Sequence, residues 1–161
     1  MTHIGRYLTS KGTKPLVKYV HNFKNTYLYG SYSPVDGDAF VYELEHTNSR
    51  LFQQYLLKMS EHRLNEYKIV VIDNAGFHST KGFEIPKNIF LWRIPPYAPE
   101  LNPCEQVWAY IKQRFKNQSF EKIEEIKQWL YEMVKGMKQD LIKSIVSNHH
   151  YLDNFNATFN I

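Results

Sequence analysis

The chain has a single cysteine, Cys104, in 161 residues, so it forms no internal disulfide. It has no signal-peptide pattern and no apolar run long enough to span a bilayer. These two absences set the expectation of a protein in a reducing cytoplasm, away from membranes. There are no internal repeats and no low-complexity tract, which excludes solenoids and biased linkers. Seven histidines are present, but none stands at finger-like spacing from Cys104, and His149-His150 are simply adjacent. That pattern argues against a structural zinc site.

What is present is a globular composition: 43% hydrophobic residues, with 12 Tyr and 10 Phe. The length suits one domain with a core of its own. The net charge of +4 and a pI near 9.0 are compatible with a polyanionic partner, without specifying one. Lys11, Lys14, Lys18 and Lys24 make the N-terminal segment basic, which suits either DNA contact or solubility.

Patterning predicts the elements in order. Residues 16–23 and 25–32 read as strands, and 39–44 as a strand returning from the turn Ser33-Pro34-Val35-Asp36-Gly37-Asp38. Thr47-Asn48-Ser49 caps a helix whose apolar positions are Leu51, Phe52, Tyr55, Leu56 and Met59. Strands follow at 68–73 and 90–94. Helices are expected at 102–116, 120–135 and 138–147. Strand pairs followed by alternating strands and helices imply an α/β fold, a mixed sheet with helices packed on it.

Two stretches carry the chemistry. Ile69-Val70-Val71-Ile72-Asp73 is an apolar run ending in an acid, the way a buried strand delivers a carboxylate to its carboxyl edge. Further on, Asn102 suits an N-cap, Pro103 the first helical position, and Glu105 the first turn. Two carboxylates at the ends of rigid elements would suit a hard divalent cation. Both have plainer readings: Asn102-x-x-Glu105 fits a capping box, and Asp73-Asn74-Ala75-Gly76 fits a turn.

Asp73-Asn74-Ala75-Gly76-Phe77-His78, with Pro95-Pro96-Tyr97-Ala98-Pro99-Glu100-Leu101-Asn102-Pro103-x-Glu105-x-x-Trp108, resembles the catalytic core of DDE transposases. The resemblance is to the bacterial insertion-sequence branch related to mariner elements. Weaker similarity runs from about Gly5 to about Ser147. It implies an RNase H-like, retroviral integrase-type fold over 1–150, truncated in its first strand, with 151–161 as a C-terminal tail. It makes Asp73 and Glu105 the second and third acids of a triad and ligands of Mg²⁺ (or Mn²⁺), two ions in the complete enzyme. The implied reaction is DNA cleavage and strand transfer in transposition.

The first acid of that triad would fall just before Met1, since Ile4-Gly5-Arg6 resembles the end of its motif. The chain is therefore expected to be impaired on its own. Asp36 and Asp38 sit on a hairpin turn and are no substitutes. The family's helix-turn-helix region is likewise not expected in this sequence. Auxiliary roles fall to His78 and Asn102, and DNA contacts to Lys112, Lys116 and Tyr97, against plainer roles as loop, cap and solvated surface. Cys104 and Trp108 read as core. Expected partners are double-stranded DNA, as element ends and target, and a second copy in a homodimer. The expected location is the bacterial cytoplasm, at the nucleoid when acting. Rival expectations are a non-catalytic DNA-binding or assembly remnant and an RNase H-like nuclease.

Overall fold

The computed structural model describes residues 26–96, 98, 101–116, 118–147 and 157. The strand expected at 16–23, the basic N-terminal segment, Tyr97 and nearly all of the tail at 151–161 lie outside the described residues.

The described chain begins with β1 (Tyr27–Tyr32) and β2 (Ala39–Leu44), an antiparallel hairpin in which Tyr27 faces Leu44 and Tyr32 faces Ala39. Its turn is built by local polar groups. Ser33 N donates to Asp38 O at 2.8 Å, and Asp36 Oδ1 accepts from Asp38 N at 3.1 Å. Gly37 adopts φ +76°, and a Cβ there would lie 2.1 Å from the carbonyl oxygen of Gln139. Glycine is required twice over at this position, by its left-handed backbone and by the close approach of the Gln139 backbone.

Helix α1 (Ser49–Glu61) starts where the cap was expected, with the Asn48 side chain accepting from Leu51 N at 2.9 Å. It leads into β3 (Lys68–Ile72), a 3₁₀ turn at Gly76–His78, and β4 (Ile89–Arg93). β3 and β4 pair in parallel, Lys68 beside Ile89 and Ile72 beside Arg93. The described residues then form α2 (Pro103–Phe115), α3 (Ile123–Lys135) and α4 (Gln139–Val146). Helix α3 starts later than expected because Phe120 stays outside it, stacked on Phe115 with ring centroids 5.5 Å apart. The strands thus pair in both senses, as one antiparallel and one parallel pair among the described residues.

Strand alternation divides the interior in two. Tyr29 and Tyr32 lie three residues apart on β1, so they point to opposite faces. Tyr29 joins Phe52, Tyr55, Leu56 and Met59 of α1, with Ile72 and Ile89 from the parallel pair. Tyr32 joins Val107 and Ile111 of α2, with Met137 and with Ile142 and Val146 of α4. The hairpin is therefore a middle layer with helices on both sides. On the α1 side, Tyr55 donates to Phe40 O at 3.0 Å, so the Ser31 hydroxyl, 2.7 Å away, donates to Tyr55. Burial of the ring pushes the Tyr55 hydroxyl's pKa up, keeping it a neutral donor. On the α2 side, Gly30 lets the helix close in, since a Cβ there would sit 3.1 Å from the Trp108 ring.

A polar strap ties the hairpin turn to the end of α1. Arg63 pairs with Asp36, and the His62 ring lies 2.8 Å from Asp38. The Asp36 carboxyl is held down at about 2, first by the Ser33 hydroxyl and also by the Arg63 guanidinium. A carboxyl lowered in the folded state adds stability that is full above its unfolded pKa and is lost as pH falls toward the folded value. Stability should therefore decline between about pH 4 and pH 2. In D36N this part of the decline should be absent, a difference of under about 1 kcal/mol because the pair is half open to water. Urea unfolding of both proteins across that range tests it; identical acid limbs would show that the strap does not form.

Candidate active site

Asp73 follows directly on the last residue of β3, at the carboxyl edge of the parallel pair. The edge is extended by two bonds beyond the strands: Ile94 N donates to Ile72 O at 2.9 Å, and Asn74 Nδ2 donates to Ile94 O at 2.8 Å. The plainer reading of Asp73 as a turn residue is half right. Its Oδ1 accepts from Ala75 N at 3.0 Å, a local Asx-type bond. The same Oδ1 lies 2.7 Å from Nδ1 of His78. Oδ2 has no hydrogen-bond partner among the described residues, and the side chain is 53% exposed.

His78 is far less open, at 16% exposure. Its ring is wedged between Phe77 and Phe52, with centroid distances of 4.3 and 4.7 Å. Arg93, at the end of β4, donates through one guanidinium nitrogen to His78 O at 2.7 Å. The other reaches Asp73 O at a long 3.5 Å. Neither Arg93 nor Phe52 was picked out as part of the site by sequence reasoning. The available signal was position: a cation closing an apolar strand that runs parallel to the one ending in Asp73.

Glu105 occupies the first turn of α2 and is exposed. Asn102 caps the helix through Oδ1, which accepts from Cys104 N at 3.1 Å, and Pro103 sits at the first position. Neither bond of a capping box is made, since the Asn102 side chain takes the second helical N–H and Glu105 N bonds the Asn102 carbonyl. Among the described residues the Glu105 carboxylate makes no hydrogen bond and no ion pair, so capping leaves it free. An acid in the first turn also suits the positive end of the helix dipole. Lys112 and Lys116 are exposed near the other end of α2 and form no ion pair among the described residues.

Cys104 and Trp108 are core-side residues of α2, as expected. The Cys104 thiol donates to Gly30 O at 3.4 Å, and burial pushes it up to about 12. The Trp108 ring meets Tyr32 edge-on at 5.8 Å. Asp36 and Asp38 are committed to Arg63 and His62 on the hairpin strap, away from any such role.

Asp73 and Glu105 thus offer oxygen donors at a strand end and at a helix start. Among the described residues, no group of three His, Cys, Asp or Glu side chains is placed to hold a metal ion. A sequence model of the DDE superfamily endonucleases matches residues 2–127, a span that contains both acids and the whole parallel pair. The chain belongs to this family. An uncharacterised protein of Sinorhizobium fredii (strain NBRC 101917 / NGR234), y4pE/y4sA, is 28% identical over 102 residues, covering 62% of this chain and 76% of that protein. Among solved structures, the Mos1 transposase paired-end complex with left transposon end superposes with a TM-score of 0.67 at 17% identity. That match covers 96% of this chain and 49% of the Mos1 chain, so the chain spans about half the length of that transposase. At this identity the likeness is one of fold, and the fold is RNase H-like.

A thiol held this far above neutrality is a poor nucleophile, since the thiolate is the reactive form. Native protein should therefore react with a thiol-specific disulfide reagent far more slowly than protein in denaturant. Rapid native-state labelling would mean that Cys104 is not buried against Gly30.

Proposed function

We propose that the chain is a transposase catalytic domain that cuts and joins DNA with divalent metal ions, with Asp73 and Glu105 as metal ligands. The observation that carries this reading is the pair of family-motif carboxylates left with free oxygens. Asp73 keeps Oδ2 open while Oδ1 is spoken for, and Glu105 declines the capping bond its spacing allows. Hard oxygen donors fit Mg²⁺ or Mn²⁺. Two such carboxylates fit one ion. A second ion would need a further acid. When bound, the ions would stabilise charge on the attacking and leaving oxygens of a phosphodiester.

The chain's own residues do the remaining work. The parallel pair sets Asp73 on a rigid edge, and the Asn102 cap fixes the first turn that presents Glu105. Lys112 and Lys116 lie free to meet DNA phosphates, and Tyr97 of the Pro-rich loop would stack on a base. The substrate is double-stranded DNA, both element end and target, in line with the transposon end held in the Mos1 paired-end complex. The place of action is the nucleoid, in the bacterial cytoplasm; no helix among the described residues is long and apolar enough to cross a membrane. We place the catalytic unit in 1–150, with 151–161 as an appended tail, and expect catalysis by this chain alone to be weak. The exposed Lys112 and Lys116 suit a second reading as well, a DNA-binding or assembly remnant, since phosphate contacts need no metal.

Mg²⁺- or Mn²⁺-dependent nicking of duplex DNA separates the two. D73N and E105Q should each lower it by more than about 100-fold, beyond the loss typical of outer-shell changes, with circular dichroism unchanged. Salt-sensitive DNA binding with no cleavage in any metal would establish the remnant instead. Pairing of two element ends calls for two catalytic units. Sedimentation should show a dimer on end-containing DNA, and a monomer at every concentration, with and without DNA, would refute it.

A further inference from the structure

The turn from Asp73 to His78 is closed by side chains from two other elements. Arg93 comes from β4 and donates to the His78 carbonyl at 2.7 Å, with a longer 3.5 Å reach to that of Asp73. Phe52 comes from α1 and packs on the His78 ring. Both contacts act on the part of the turn that carries the imidazole. A carboxylate only accepts hydrogen bonds, so the 2.7 Å contact requires the proton on Nδ1 of His78. The ring thereby takes one lone pair of Oδ1, and Ala75 N takes another. What remains open to solvent is Oδ2.

We propose that Arg93 and His78 are positioning residues that present Asp73 to its metal through one oxygen, Oδ2. This rests on the reading of Asp73 as a ligand and deepens it. Arg93 fixes the turn through backbone carbonyls. The turn, with Phe52 and Phe77, fixes the ring. The ring fixes the carboxylate's rotation about its last bond. Ligating carboxylates are commonly oriented by such outer partners, whose loss weakens metal binding by about 10–100-fold. Arg93 directs its guanidinium to the two carbonyls and not to the carboxylate, so it orients without competing for the oxygens.

Three variants test it. H78N keeps a donor at the place of Nδ1 but loses the ring. H78F keeps the ring but loses the donor. R93M keeps the length of the stem but loses the fork. Each is first checked for folding by thermal melting. Two readouts follow on the full chain, neither needing activity: Mn²⁺ affinity by calorimetry, and the His78 tautomer from ring ¹⁵N shifts.

The expected result is wild-type His78 as the Nδ1–H tautomer, and a mixture of tautomers in R93M. The Mn²⁺ dissociation constant should rise about tenfold in H78F and about threefold in R93M, while H78N stays close to wild type. A wild-type ring protonated on Nε2 alone, or R93M matching wild type in both readouts, overturns the proposal. So does H78F binding normally while H78N fails, which would make ring packing the whole role. If wild type binds no Mn²⁺ but shows the Nδ1–H tautomer and loses it in R93M, the clamp stands and the metal reading of Asp73 falls.

Discussion

The parallel pairing of β3 with β4 is the constraint on which the candidate site depends. Hydrogen bonds from Lys68–Ile89 to Ile72–Arg93 bring two strand ends level at one edge. Asp73 then leaves the first strand at the point where Arg93 ends the second. A slip of β3 by one residue would turn Ile72 out of the α1-side core and move Asp73 off the level of Arg93. Register here is therefore fixed by burial, and the position of the carboxylate is inherited from it.

The hairpin gives that edge a stable surrounding. Because β1 sends Tyr29 to one helix layer and Tyr32 to the other, neither layer can shift without disturbing the same strand. The two layers are also joined by polar groups at the rim. The hairpin turn reaches the end of α1 through Asp36 and Arg63, and Glu43 of β2 holds Lys127 of α3. These bonds are exposed and individually weak. Their value lies in fixing where the helices enter and leave, while burial of residues such as Leu56, Val107 and Val146 supplies most of the free energy.

Much of this was legible because period and punctuation agree along the chain. Asn48 and Asn102 announce their helices and do cap them. The Asp-Gly turn gives a hairpin whose second strand ends at Leu44, as patterned. The 3₁₀ turn at Gly76–His78 was not legible, since three residues carry no period. The ring sandwich of Phe52, Phe77 and His78 was hidden for a different reason. It joins residues of α1 and the turn, and only tertiary packing decides which aromatic side chains meet. For Glu105, spacing alone left both a cap and a ligand open, with the cap the commoner use of such a pattern. The structure makes no capping box there, since Asn102 bonds Cys104 N and the Glu105 carboxylate does not reach back.

The choice of partners around Asp73 carries its own argument. An arginine is the strongest partner a carboxylate can find, because its fork engages both oxygens at once. Arg93 is close enough to bond the Asp73 carbonyl, yet its short bond goes to the His78 carbonyl instead. The carboxylate is given an imidazole and one backbone N–H, both on the same oxygen. For a residue whose only task was to end a strand, a forked ion pair would be the more stabilising solution. Leaving one oxygen open at an exposed strand edge forgoes that stabilisation. It suits the role proposed for Asp73, because a divalent cation competes with arginine for the same lone pairs.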